Sequence, residues 1–226
     1  MYAEVFRELR GYAEAVHKPS PRLLAVSKTK PVTAIQQAYR EGAREFGENY
    51  VQEALEKIQL LPRDCVWHLI GPLQSNKTGS VAEHFDWVQS LDRLKIARRL
   101  SEQRDPAKAA LQVCIEVNID GEANKAGCRP EKLLELVHKV CQLPRLALRG
   151  LMVIPRLNAP QEQTRASFLR AAALFSQCKI AVPDAPLDTL SMGMSGDWRS
   201  ALDCGSSMVR MGTAIFGARP PGQRGQ

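Results

Sequence analysis

The sequence predicts an α/β fold, a single (β/α)8 TIM barrel with an extra N-terminal helix, and three observations carry that reading. Eight short apolar runs alternate with stretches of helical spacing along the 226-residue chain, as strands do when each needs a crossover helix to lie parallel to the next. No internal linker breaks the alternation, so one barrel domain is expected over residues 1–218. Finally, no Gly-x-Gly-x-x-Gly follows the first strand and no Gly-x-x-x-x-Gly-Lys-Ser/Thr occurs. This places a doubly wound, nucleotide-binding open sheet second.

The elements follow in order. An amphipathic stretch over 3–16 reads as the extra helix. Residues 23–27 form the first strand, and Pro31 opens a helix after it. Strands are expected at 45–47, 66–70, 87–90, 112–119, 148–154, 189–192 and 208–216. Between them lie stripes spaced by three and four: Val51, Ala54, Leu55 and Ile58; Leu133, Leu134, Val137, Val140 and Cys141; Phe168, Ala171, Ala172, Phe175 and Cys178. Pro130 opens the second of these helices and Leu143-Pro144 closes it. The tail 219–226, rich in Pro, Gly, Gln and Arg, is expected to be disordered.

Composition narrows the function. With 44% hydrophobic and 24% charged residues, the chain is ordinary for a globular protein, and no apolar run approaches the roughly 20 residues that span a bilayer. The N-terminus lacks the continuous apolar segment of a signal peptide. Six scattered cysteines without Cys-x-x-Cys spacing read as reduced thiols of a cytoplasmic protein. The net charge of +7 permits anionic ligands, but the basic residues are dispersed among acidic ones and no nucleic-acid recognition motif accompanies them. The densest basic cluster, Arg93, Lys95, Arg98 and Arg99, reads as a solvated helix face.

Three segments carry chemistry. Lys28 ends the first apolar run. A lysine in an apolar wall at a strand's C-terminal end suits an amine that must lose its proton; the alternative is a side chain that snorkels to solvent. Lys30 shares its strand phase, but Pro31 holds it extended beyond the strand. In 113–119 the odd positions are aliphatic while Cys114, Glu116 and Asn118 share the other face. That face points into a barrel, where Glu116 and Asn118 either support a site or bond to each other's layer. Towards the C-terminus, Ser195 is placed to cap a helix whose amides would face an anion. Gly212 and Thr213 end the last strand, and the loops after strands 7 and 8 are a frequent phosphate site in barrels. Plain capping and turn roles for Ser195 and Gly212 stay open. Lys77, Lys125 and Arg149 could form a second anion-binding patch or be solvated surface.

The segments Ala25-Val-Ser-Lys28-Thr-Lys-Pro, Phe46-Gly-Glu-Asn49-Tyr-Val-Gln-Glu, Trp67-His-Leu-Ile-Gly-Pro-Leu-Gln-Ser-Asn-Lys77, Leu190-Ser-Met-Gly-Met-Ser195 and Val209-Arg-Met-Gly-Thr-Ala-Ile-Phe-Gly217 closely resemble the pyridoxal phosphate homeostasis protein family. They recur in order across nearly the whole chain. The family resembles the barrel domain of alanine racemase, fold type III of pyridoxal-phosphate proteins. The resemblance implies pyridoxal 5′-phosphate (PLP) as cofactor, held by Lys28 as a covalent aldimine. It implies that Ser195, Gly212 and Thr213 hold the phosphate, that Arg210 faces the pyridine nitrogen and that Asn49 lines the pocket. Ser207 stands where many members have threonine and keeps the hydroxyl.

The resemblance further implies a carrier or buffer that maintains intracellular PLP, with transient apo-enzyme partners and negligible turnover. A racemase adds a second domain and a tyrosine from a partner subunit, and racemisation needs a base on each face of the intermediate. Lys28 could serve one face, whereas Tyr39 and Tyr50 both read as helix residues. A monomer is therefore expected, with no metal, nucleic acid or membrane. A PLP-dependent racemase or decarboxylase is the alternative. A basic interaction protein that has lost the cofactor is disfavoured by the intact Lys28, Ser195, Arg210, Gly212 and Thr213.

Overall fold

Eight parallel strands close into a barrel in sequence order, β8 pairing back onto β1. The computed structural model describes residues 1–218; the expected disordered tail lies outside the described residues. The strands are β1 (Arg22–Val26), β2 (Glu45–Glu48), β3 (Val66–Leu69), β4 (Trp87–Leu91), β5 (Leu111–Val117), β6 (Leu146–Val153), β7 (Thr189–Ser191) and β8 (Met208–Met211). After α1 (Tyr2–Ala15) the helices alternate with them: α2 (Val32–Arg40), α3 (Val51–Ile58), α4 (Thr78–His84), α5 (Leu94–Gln103), α6 (Leu133–Cys141), α7 (Gln161–Ala181), α8 (Trp198–Asp203) and α9 (Thr213–Phe216). Among the described residues, no helix is long and apolar enough to cross a membrane.

The expected alternation positions the two layers. On β5 the aliphatic Leu111, Val113, Ile115 and Val117 join the apolar layer between sheet and helices. Cys114 packs with Trp87 and Met152 in a separate interior cluster. Each helix contributes its apolar stripe to the outer layer, for example Leu133, Leu136, Val137 and Val140 of α6; Leu134 is left exposed. Pro31 stands immediately before α2, and Pro130 opens a short 3-10 turn that runs into α6. The extra helix α1 rests on α8 through an edge-on Tyr12–Trp198 contact and a bond from the Tyr12 hydroxyl to Asp203.

Two expected strands overrun their observed ends by more than one residue. The fifth stops at Val117, and Asn118 turns into the following loop, where Asn118 Nδ2 donates to the Glu122 carbonyl and Oδ1 accepts its N–H. The eighth stops at Met211. Its apolar continuation, Thr213–Phe216, coils into α9 because the chain turns at Gly212 and leaves the pairing with β1 behind.

Candidate functional site

Because all eight strands are parallel, their C-terminal ends share one rim. Lys28 lies two residues past β1, Asn49 directly past β2, Ser195 four residues past β7, and Gly212 and Thr213 directly past β8. Closure of the barrel joins the first and last of these. Leu24 pairs with Arg210 and Ala25 with Met211, so Gly212 follows beside Val26. A Cβ on Gly212 would stand 3.3 Å from the Val26 carbonyl oxygen, a close approach that glycine allows. Asn49 is held as tightly: a Cβ on Gly71 would stand 2.3 Å from the Asn49 carbonyl oxygen. Ser195, Gly196 and Thr213 are exposed on the rim.

The two lysines of the first turn part company. Lys28 is half-buried. Lys30 Nζ donates to the carbonyls of Phe216, Gly217 and Ala218 at 3.1, 2.9 and 3.3 Å, satisfying orphan acceptors at the end of α9.

Arg210 is buried inside the barrel. Its guanidinium donates to Ser191 Oγ at 2.8 Å and to the Val153 carbonyl at 3.0 Å. Burial draws its pKa down to about 10, with Asp197 and Glu116 acting against the shift, so it remains a cation at neutral pH. A polar column continues below it. Ser191 donates to Gln89 Oε1 at 2.7 Å, and Gln89 Nε2 donates to His68 Nδ1 at 2.9 Å. The amide and ring orientations follow from this network: Ser191 accepts from Arg210 and must donate onward. Glu116 faces the same interior. Its carboxyl is pushed up to about 7 by burial, Asp92 adding to the effect while Arg210 and Lys125 oppose it.

Comparison with known proteins completes this description. The family described as alanine racemase, N-terminal domain, matches residues 4–220. A pyridoxal phosphate homeostasis protein of Pasteurella multocida is 52% identical, over 96% of this chain and 95% of its own. The chain belongs to the pyridoxal phosphate homeostasis protein family.

A protein of that name from Escherichia coli is 51% identical, over 87% of this chain and 85% of its own. The structure of PipY from Synechococcus elongatus, solved with PLP bound, superposes with a TM-score of 0.84 at 38% identity. That match covers 96% of this chain and all (100%) of PipY.

Several sequence expectations change at this rim. Ser195 is not an N-cap: α8 begins at Trp198, with Asp197 at the cap position. Asp197 Oδ1 accepts the Met194 N–H at 2.6 Å, closing the turn that presents Ser195. Lys125 and Arg149 do not share a patch. Lys125 Nζ bonds Glu122 and the Ile154 and Pro155 carbonyls, while Arg149, inside β6, pairs with Asp188 and Gln112. The basic cluster is not wholly solvated either: Arg93 bonds the Leu73 carbonyl, and Arg99 bonds the Ser75 carbonyl and Thr78. Sequence reasoning missed Glu48, Glu53 and Lys57, which surround the Lys28 turn. The signal was present, since Lys57 continues the buried spacing of Val51 and Ala54.

Proposed function

We propose that this protein binds PLP covalently through Lys28 and acts as an intracellular carrier or buffer of the cofactor. The juxtaposition of Lys28 with the Gly212 turn, imposed by the pairing of β1 with β8, carries the reading. It brings the turn that carries Lys28 beside the Gly212–Thr213 turn, and a PLP-sized ligand needs both an amine and phosphate donors. When bound, PLP supplies an aldehyde that condenses with a primary amine and releases water.

The residues fit that ligand. Gly212 and Thr213 on one turn, and Ser195 on the neighbouring one, offer amides and hydroxyls to a phosphate. Arg210 would face the pyridine nitrogen and, as a cation, would disfavour protonation there. That weakens the ring as an electron sink, where enzymes that use the full sink place a carboxylate. Asn49, fixed by its packing on Gly71, lines the pocket. The family membership and the PLP-bound PipY support this assignment.

Holding and releasing the cofactor, without turnover, is the reading we favour. Turnover of a racemase type requires a second proton donor across from Lys28. Of the four tyrosines, Tyr2 and Tyr12 lie on α1, Tyr39 bonds Asp64, and Tyr50 is exposed at the start of α3. The protein is proposed to act as a cytoplasmic monomer that meets apo-enzymes transiently; its six free thiols fit a reducing compartment.

Absorption spectroscopy with PLP, followed by borohydride reduction and peptide mapping, tests the assignment. The expected result is a visible band lost on reduction and a label on Lys28. A label on Lys30 alone, or no binding at saturation, overturns it. Turnover of amino acids at about 1 per second or faster would establish an enzyme instead.

A further inference from the structure

The geometry points to a positioning role for Glu53, Lys57 and Glu48: together they clamp the backbone on both sides of Lys28 and so govern its reaction with an aldehyde. The inference rests on the proposed PLP reading. Lys57 is buried. Its ammonium donates to the Ser27 carbonyl at 2.8 Å, to Glu48 Oε1 at 2.8 Å and to Glu53 Oε1 at 2.7 Å, which uses all three of its protons. Glu53 Oε1 also accepts the Thr29 N–H at 2.6 Å, and Glu48 Oε1 accepts the Ser27 hydroxyl at 2.6 Å.

The Ser27 carbonyl belongs to the peptide unit before Lys28, and the Thr29 N–H belongs to the unit after it. Both planes that flank the Lys28 Cα are therefore tied to one cluster. Fixing the two planes fixes the Cα–Cβ direction, and with it the arc that the amine can sweep. The turn is held in an unfavourable shape as well. Thr29 has φ of +62°, a left-handed conformation that is a genuine outlier for a β-branched residue. Such strain persists where the surroundings over-determine it, and it gathers at functional sites.

Stability alone does not account for the cluster. A buried ion pair is often no better than an apolar replacement, and position 57 lies on an otherwise apolar stripe of α3. The cluster is also imperfectly satisfied: Glu48 Oε2 is buried without a hydrogen-bond partner, and burial holds the Glu48 pKa above the usual carboxylate range despite Lys57 beside it. What the arrangement secures is the backbone of Lys28. The step it serves is the addition of the neutral Lys28 amine to the aldehyde carbon, with formation of a C=N bond and departure of the aldehyde oxygen as water.

Two ligands separate positioning from pocket integrity. PLP can react with Lys28; pyridoxine 5′-phosphate carries an alcohol in place of the aldehyde and cannot. Glu53 is the position to vary, because its side chain is partly exposed, at 27%, and Lys57 keeps Glu48 and the Ser27 carbonyl as partners without it. Glu53→Ala frees the Thr29 N–H, while Glu53→Gln keeps an acceptor oxygen. Stopped-flow absorbance and equilibrium titration should show PLP capture slowed and its affinity lowered roughly tenfold in Glu53→Ala. Pyridoxine 5′-phosphate affinity should stay within about twofold, and Glu53→Gln should recover most of the capture rate. Equal weakening of both ligands, or no change in either, would overturn the clamp. Failure of the unaltered protein to react with PLP at Lys28 would instead overturn the proposed function, whatever the variants do.

Discussion

Lys30 Nζ lies 2.9 Å from the carbonyl oxygen of Gly217, joining the turn after the first strand to the end of the last helix. The bond closes the seam of the barrel on the rim that carries Lys28. It also removes Lys30 from competition for a ligand. Lys30→Ala should lower stability by about 1–3 kcal/mol, the value of hydrogen bonds to a charged group, in urea unfolding. Borohydride labelling should still fall on Lys28. A label that disappears in Lys30→Ala would show that the wrong lysine has been assigned.

The rim depends equally on the contact between Gly71 and Asn49. A Cβ at position 71 would lie 2.3 Å from the Asn49 carbonyl oxygen and 2.7 Å from its Cα, both backbone atoms that cannot rotate aside. Gly71→Ala should cost about 1–3 kcal/mol, as overpacking does, and should weaken PLP binding by moving Asn49. Wild-type stability and affinity in this variant would remove Asn49 from the pocket.

The column Arg210–Ser191–Gln89–His68 has one direction of donation throughout. Gln89→Leu would leave Ser191 Oγ and His68 Nδ1 without their partner inside the barrel. The expected loss is about 2–4 kcal/mol, larger than for a single surface bond, because each stranded group keeps its desolvation cost. Thermal unfolding of the apo-protein measures it, and an unchanged midpoint would mean that the column is redundant.

Glu116 gives a pH dependence with a definite sign. Its folded pKa, about 7, exceeds the roughly 4.3 of an unfolded glutamate. Between these values the folded state holds the proton and the unfolded state has lost it, so stability falls as pH rises through the window and levels off above about 7. The contribution is at most about 4 kcal/mol. His68 acts the other way: burial lowers its pKa, so its share of stability is lost as pH falls below about 6.5. The difference between wild type and Glu116→Gln isolates the first effect. From pH 5 to pH 8 the denaturant midpoint should rise more, or fall less, in Glu116→Gln than in wild type, and identical pH profiles would exclude the effect.

Much of this molecule is legible from local pattern. The two-residue period of 113–117 separates the outer aliphatic layer from an interior face carrying Cys114 and Glu116, and the helical stripes mark what covers the strands. Strand ends were less legible. Thr213–Phe216 has a strand-like composition, yet pairing with β1 stops at Met211, and a segment without a partner coils. Ser195 offers a good capping side chain, but the turn is closed by Asp197, two residues nearer the helix.

The sequence by itself determined the barrel and the rim on which Lys28, Ser195, Gly212 and Thr213 gather, because alternation and parallel closure follow from local hydrophobic period; Asn49 was marked by the family resemblance alone. Only the tertiary structure decided the partners of the charges. Lys28 and Lys30 have the same strand phase, and Lys57 is one cation on an apolar stripe. Lys30 was assigned by carbonyls some 186–188 residues away, and Lys57 by a carbonyl 30 residues away, that of Ser27. Which charge is desolvated, and what compensates it, depends on groups that folding brings near, and no local pattern encodes that proximity.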